Sequence, residues 1–333
     1  MLEHIYAASR CLLNRERLLH CSSRRILAIF VAAFIGCLVA CGGSSKSTVP
    51  GPPVATQHLY TSGTTGHALQ FPLPLTGATP TATLSLPTAI DVSALAVDAT
   101  GNVAVGAFDG NISIFNGPIT GSASASATFK NGTSTFVGNL AFNSTGDLFA
   151  TTGGNTINVF THPLTSASTP SQVITSANLT TSVGVALDSA NNLIVSNVPS
   201  PLGSNLLVYA PPYTGLPIAT AMVPAASYRQ MAISGTQLFV VNSLVSTSRI
   251  DVYNLPITAA STPAFLISSG LFGGSVSGNG VALDSSGNLY AGLSGNLGTT
   301  DSGGIRIYVP PFSGASAPSV TTGVFGTTLA IGK

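Results

Sequence analysis

Charge is what this 333-residue chain has least of: Asp, Glu, Lys and Arg make up 6% of it, against roughly 25% in an ordinary soluble protein. Tryptophan is absent and only four Cys and three Met occur. Eleven Lys and Arg, with a net charge of +1, cannot build the basic patch that nucleic acid requires, so no nucleic-acid partner is expected. Disorder is excluded by a 44% hydrophobic content, because disordered chains are poor in apolar side chains. A collagen-like helix is excluded too, since the 36 Gly follow no three-residue period.

Much of the little charge present lies at the N-terminus. Arg10, Arg15, Arg17, Arg24 and Arg25 precede an uncharged apolar run from Ile26 to Ala40. That run is short of the roughly 20 residues that span a bilayer, and it suits the core of an export signal. It closes on Leu38-Val39-Ala40-Cys41-Gly42, which resembles the bacterial lipobox, where a lipidated cysteine becomes the mature N-terminus. Ile35-Gly36-Cys37 is a weaker overlapping candidate, and an uncleaved anchor or plain secretory signal is the competing reading. Residues 1–40 are therefore expected to be a signal peptide, with Cys41 the lipidation site. Gly42-Gly43-Ser44-Ser45 and the prolines Pro50, Pro52 and Pro53 make 41–57 a tether, and 58–333 is the folded domain. The expected location is outside the cytoplasm, lipid-anchored to a bacterial membrane on its periplasmic or cell-surface side.

Cleavage before Cys41 removes both glutamates, Glu3 and Glu16, and five arginines. Residues 41–333 keep eight Asp against six Lys and Arg. Cys11, Cys21 and Cys37 leave with the leader, so neither a disulfide framework nor a thiolate metal site is expected.

The remainder is a repeat. Leu95-Ala96-Val97, Leu140-Ala141-Phe142, Val185-Ala186-Leu187, Met231-Ala232-Ile233, Val281-Ala282-Leu283 and Leu329-Ala330-Ile331 place their alanines 45, 45, 46, 50 and 48 residues apart. Large–small–large alternation at period two marks a strand, with the large side chains on one face and Ala on the other for neighbouring sheets to interdigitate. Turns such as Asp98-Ala99-Thr100-Gly101-Asn102 follow. Second strands then start at Leu59, Val103, Leu148, Leu193, Leu238 and Leu289. Third strands end in an aromatic with proline three residues on: Phe71/Pro74, Phe115/Pro118, Phe160/Pro163, Tyr209/Pro212, Tyr253/Pro256 and Tyr308/Pro311. Fourth strands are expected in segments such as Thr81–Leu86, Ser124–Phe129 and Pro263–Ile267.

Four strands in about 46 residues, six times over, predict an all-β, six-bladed β-propeller with four-stranded blades. The first unit lacks an alanine strand and the last unit has nothing but one. The C-terminal innermost strand is therefore expected to join the N-terminal three in one blade and close the ring. Val281-Ala282-Leu283-Asp284-Ser285-Ser286-Gly287-Asn288-Leu289-Tyr290-Ala291, followed by Ile305-Arg306-Ile307-Tyr308, resembles an NHL-type repeat. These repeats build six-bladed propellers, some of them similar to the superfamily of gluconolactonases and related calcium-dependent hydrolases. NHL repeats usually carry Asp soon after the second strand, where this chain has Gly106, Ser196, Val241 and Gly292.

In a propeller the ligand site is expected at the central mouth. Asp91, Phe136, Thr181, Tyr228, Arg229 and Asn279 fall just before innermost strands, and Asn197 and Asn242 near second-strand ends on the same face. Long loops at 197–205, 242–248 and 292–304 decorate that face on three consecutive blades. Six residues are thus candidate ligand-binding groups: Asp91, Asn197, Tyr228, Arg229, Asn242 and Asn279. Calcium could be held by Asp91 with Asn197, Asn242 and Asn279, because calcium takes six to eight oxygens. The default expectation is no cofactor. Asp98, Asp188 and Asp284 open turns, and His67 and His162 pair with no nucleophile by any motif. Arg229 beside Tyr228 could clamp an anionic or sugar-like ligand. The expected role is a non-enzymatic binding or scaffold module for a protein, small-molecule or carbohydrate ligand. The alternative is a metal-dependent lactonase-like hydrolase or lyase with its site at the mouth.

Overall fold

Every element is a strand. A computed structural model describes residues 56–333 except 64, 78, 200–202, 215–216, 226, 244–247, 270–276, 295–303 and 325, and among the described residues it contains no helix. The expected leader, Cys41 and the tether through residue 55 lie outside the described residues, as do parts of all three mouth-face loops and Asp301.

The strands form six sheets, each with four antiparallel strands. The innermost strands are Leu329–Gly332 in blade I, Val92–Val97 in II, Leu140–Phe142 in III, Ser182–Leu187 in IV, Tyr228–Ser234 in V and Ser277–Leu283 in VI. Each contacts its two neighbours, round a closed cycle. The second strands are His58–Ser62, Val103–Ala107, Leu148–Thr151, Leu193–Asn197, Gln237–Asn242 and Leu289–Ser294. Blade I closes the ring as expected: Leu329–Gly332 pairs antiparallel with His58–Ser62, His58 facing Gly332 and Thr61 facing Leu329. The chain is a six-bladed β-propeller.

Packing between blades repeats one rule six times. The repeat alanine of each blade shares a core cluster with the large apolar residue that follows the alanine in the next blade. The pairs are Ala96 with Phe142, Ala141 with Leu187, Ala186 with Ile233, Ala232 with Leu283, Ala282 with Ile331, and Ala330 with Val97. The third-strand aromatics Phe71, Phe115, Phe160, Tyr209, Tyr253 and Tyr308 join the same clusters, one in each, all at most 2% exposed. Burying such a ring is worth about 1.5–3 kcal/mol, which makes these six side chains major contributors to the ring. Each of the six prolines that follow them sits after a cis peptide bond.

The turns are held by their first residue. Asp98 accepts hydrogen bonds from Thr100 N at 2.8 Å and Asn102 N at 2.9 Å, and Gly101 takes the positive φ, 92°, that the bend needs. Asp188, Asp284 and Asn143 do the same in their blades.

One strand expectation is corrected. Ser124–Phe129 is not a single fourth strand. Ala127–Lys130 is the fourth strand of blade II, while Gly121–Ser124 crosses over to pair in parallel with Ala82–Ser85 of blade I. The run Gly121-Ser-Ala-Ser-Ala-Ser-Ala127 has no bulky side chain to fix a single register. Its first half instead covers an otherwise open outer edge.

Candidate functional site: the propeller mouth

Four of the six innermost strands are regular at one end and bulged at the other. Register shifts interrupt them between Val92 and Ala94, Ser182 and Gly184, Tyr228 and Met231, and Gly278 and Gly280. A bulge inserts an unpaired residue and re-aims its side chain. The residues so displaced, Ser93, Val183, Arg229, Gln230 and Asn279, all line one cavity of about 410 Å³ at the central mouth. Phe108, from the loop after Val103–Ala107, and Phe136 complete its rim, their ring centroids 5.3 Å apart and tilted by 38°. Phe136 lies where Gly153 leaves room: a Cβ there would come within 2.5 Å of its ring.

A pattern runs round the ring at the positions two before each repeat alanine, three of which line the mouth. In ring order from blade II these are Ala94, Asn139, Gly184, Gln230, Gly280 and Thr328, small and polar in strict alternation. Six long side chains cannot meet at one axis, so three are trimmed. Gln230 passes over Gly280, whose Cβ would lie 2.7 Å from its Oε1, and reaches the main chain of Leu329. Asn139 Oδ1 accepts from Val185 N at 3.3 Å. Both amides also line a second cavity, of about 290 Å³, that opens beneath them among the repeat alanines.

Arg229 is the one charged side chain among the described residues of the mouth lining. Its backbone is wedged in place. Ser196 Oγ donates to Arg229 O at 3.1 Å, and a Cβ on Gly184 would come within 2.2 Å of the same oxygen. Arg229 is exposed, and its guanidinium has no hydrogen-bond or ion-pair partner among the described residues. Three of the four positions where an NHL repeat would carry Asp are explained by close packing of the same kind. Gly106 lies under Val137, Gly292 under Gly326 O, and Ser196 serves Arg229.

Of the six candidate residues, Arg229 and Asn279 line the mouth and four do not. Asp91 is exposed beside the rim, its carbonyl accepting from Phe108 N at 3.2 Å. Asn197 is fully buried and engaged: its Oδ1 accepts from Thr180 N at 2.8 Å and Thr181 N at 3.0 Å, and its Nδ2 donates to Asn178 O at 3.0 Å. Tyr228 and Asn242 turn away into a buried network around Asp251, which is 1% exposed. Asp251 Oδ2 accepts from Tyr228 Oη at 2.9 Å and Asn242 Nδ2 at 2.8 Å, Oδ1 pairs with Arg249 Nε at 2.6 Å, and Tyr228 also bonds the Tyr253 hydroxyl. Burial, the Tyr253 bond and the Asp251 charge push the Tyr228 phenol far above its ordinary range. Bonding to Asp251 raises Arg249. The tyrosine is neutral and the arginine charged, which is the arrangement of a structural network. Among the described residues no three His, Cys, Asp or Glu side chains gather closely enough to hold a metal ion.

Phe108, Ser93, Asn139, Gln230 and Thr328 were not singled out from sequence. The alternation of small and polar residues two places before the alanine was a legible signal for three of them. Phe108 carried none beyond being an aromatic in a turn.

No protein-family model matches the chain, and no curated protein matches its sequence. Among solved structures it is similar to a Lactobacillus plantarum protein, with 15% identity over 80% of this chain and 82% of that one and a TM-score of 0.57. A chain of a nidogen/laminin complex shares 16% identity over 83% of this chain and 98% of its own, TM-score 0.59. A Bacteroides uniformis protein provisionally named a 6-phosphogluconolactonase shares 14% over 80% and 82%, TM-score 0.54. At such identities the likeness is one of fold, and it agrees with the six blades counted above.

Proposed function

We infer that the chain is an exported, lipid-anchored propeller of the bacterial cell envelope, built from NHL-type repeats, which binds a ligand at its mouth without transforming it. The mouth lining carries this reading. Among its described residues it offers one guanidinium, an aromatic pair and several hydroxyls and amides, and no carboxylate or imidazole. Proton transfer and nucleophile activation use a carboxylate, imidazole, amine, phenol or thiol within hydrogen-bond reach of the reacting atom, and the described lining holds none of the five. Anchoring rests on the leader and Cys41. His58 pairs with Gly332, the end of the innermost strand remote from Thr328, so the chain enters the ring on the face opposite the mouth.

The rival is a metal-dependent lactonase-like hydrolase or lyase, which the likeness to the Bacteroides uniformis protein favours. Its oxygen set would draw on Asn197 and Asn242, whose side chains are buried and hydrogen-bonded inside their own blades.

Production of the full chain in a bacterium tests both parts. Lipid-modified Cys41 is expected by mass spectrometry in the membrane fraction, and Cys41→Ser is expected to abolish the lipid mass. The purified protein is expected to show no turnover in a lactone and ester hydrolysis screen run beside metal analysis. Bound calcium accompanied by turnover overturns the binding reading.

A further inference from the structure

We propose that the mouth takes a hydroxylated aromatic carboxylate, a single flat ring with a carboxylate at one end and a hydroxyl at the other. This rests on the mouth being a binding site and names the chemical class it selects. Three observations converge on it.

The first is charge. Arg229 stands alone as a cation in the described lining, its guanidinium unengaged and its backbone fixed by Ser196 and Gly184. A planar guanidinium fork matches one carboxylate by two parallel hydrogen bonds. A single cation suits a monoanion better than a phosphate dianion.

The second is the aromatic rim. Phe108 is 55% exposed, the one aromatic among the large exposed apolar side chains, and it leans on the buttressed ring of Phe136. Aromatic rings favour offset or edge-on neighbours at such spacings. A ligand ring laid on Phe108 extends the pair into the cavity and covers the exposed face.

The third is an unmet hydrogen-bonding need. Ser93 and Thr328 both line the mouth, and their hydroxyls are buried in its wall with no partner among the described residues, a bond-length's rotation from the cavity. Ser93 in blade II lies across the ring from Arg229 in blade V, and Thr328 in blade I lies two blades from it. Buried hydroxyls without partners are uncommon, and each calls for an explanation. A ligand hydroxyl held opposite its carboxylate reaches that wall and supplies the missing partner. Most other polar side chains of the lining are engaged: Asn139 with Val185, Gln230 with Leu329, Ser182 with Gly154 and Thr327 with Ser62, the Thr181 hydroxyl being the exception. A sugar acid would bring more hydroxyls than the three, of Ser93, Thr328 and Thr181, that the described lining offers. The cavity of about 410 Å³ lies within the usual range for small-ligand sites.

Isothermal titration calorimetry on the purified full chain tests the class with four probes: 4-hydroxybenzoate, benzoate, cyclohexanecarboxylate and glucuronate. The expected order has 4-hydroxybenzoate tightest, by at least fivefold over benzoate and more over the other two. Arg229→Gln is expected to weaken it at least tenfold and Arg229→Lys by an intermediate factor, since lysine keeps the charge and loses the fork. Phe108→Ala is expected to erase the preference of benzoate over cyclohexanecarboxylate. Thr328→Val, nearly isosteric, is expected to shrink the 4-hydroxybenzoate advantage and leave benzoate unchanged. Circular dichroism melts of each variant identify any that has failed to fold. Glucuronate binding tighter than 4-hydroxybenzoate and dependent on Arg229 overturns the aromatic class while leaving the mouth a binding site. Absence of 4-hydroxybenzoate binding to the folded protein, or binding indifferent to Arg229→Gln, overturns the proposal. Turnover of a lactone or ester at the mouth overturns the binding reading itself.

Discussion

The side-chain amide of Gln230 makes a two-point contact with the main chain of Leu329, donating from Nε2 to Leu329 O at 2.7 Å and accepting from Leu329 N at 3.3 Å. The two residues lie on blades V and I, with blade VI between them. Gly280 of blade VI supplies the gap that the amide crosses. A single side chain thereby ties the closing strand of the ring to a blade it does not adjoin. Gln230→Leu keeps the bulk and removes both bonds, leaving two main-chain groups unmet in the channel. It is expected to lower stability by about 1–3 kcal/mol, read by urea denaturation.

Gly184→Ala places a Cβ 2.2 Å from Arg229 O, a backbone atom that cannot turn aside. The expected cost is about 1–3 kcal/mol or more, as for other overpacked sites. Gly77→Ala is the control, because nothing lies within 4 Å of its Cβ. A surface change of that kind stays within about 0.5 kcal/mol. Equal melting temperatures for the two variants would contradict the close approach of blades IV and V.

Asp251→Ala removes the acceptor shared by Tyr228, Asn242 and Arg249. Breaking a fully buried pair costs about 3–5 kcal/mol. Arg249 is 32% exposed and can turn to water, so a loss of about 2–3 kcal/mol is expected by denaturant titration. Asn242 Oδ1 is already buried without a partner, which leaves this corner of blade V little tolerance for another unmet group.

Acid stability should follow the turn carboxylates. Partial burial raises Asp98, but hydrogen bonds from Thr100 and Asn102 outweigh it and hold the carboxyl below its ordinary value of 3.8. At Asp147 partial burial is likewise outweighed, by bonds from His162, Asn143 and Thr145. A carboxyl whose folded value is depressed contributes stability above its unfolded value and loses it as pH falls through the folded one. The stability these two carboxylates contribute is therefore expected to persist between pH 7 and about 5 and to be lost below about 4. Burial holds the His58 imidazole below its ordinary value and adds a separate decline that begins at about pH 6. Asp98→Asn should show a shallower acid decline. An acid decline below about pH 4 that is as steep in Asp98→Asn as in the parent would overturn the assignment to Asp98.

The repeat made most of the fold legible. Ala96, Ala141, Ala186, Ala232, Ala282 and Ala330 recur because each interface between blades accepts one small and one large side chain. That constraint is local and period-two, so it is written along the chain. Tyr228 and Asn242 show where reading by position stops. Both lie at mouth-side strand ends, yet they turn into the blade toward Asp251, a partner no spacing reveals. The bulges at Ser93, Arg229 and Asn279 are equally hidden, since an extra residue in a ladder leaves no mark in composition.

The sequence by itself determined the six blades, their order, the closing strand and the poverty of charge, because turn chemistry and alternation act between near neighbours. Only the tertiary structure decided which side chains face the axis. Facing is set by bulges and by the room that Gly153, Gly184 and Gly280 leave to other blades. The scarcity of charge that first marked the chain ends, among the described residues, as a single guanidinium at the mouth, and its place there was fixed by contacts between blades that no single repeat contains.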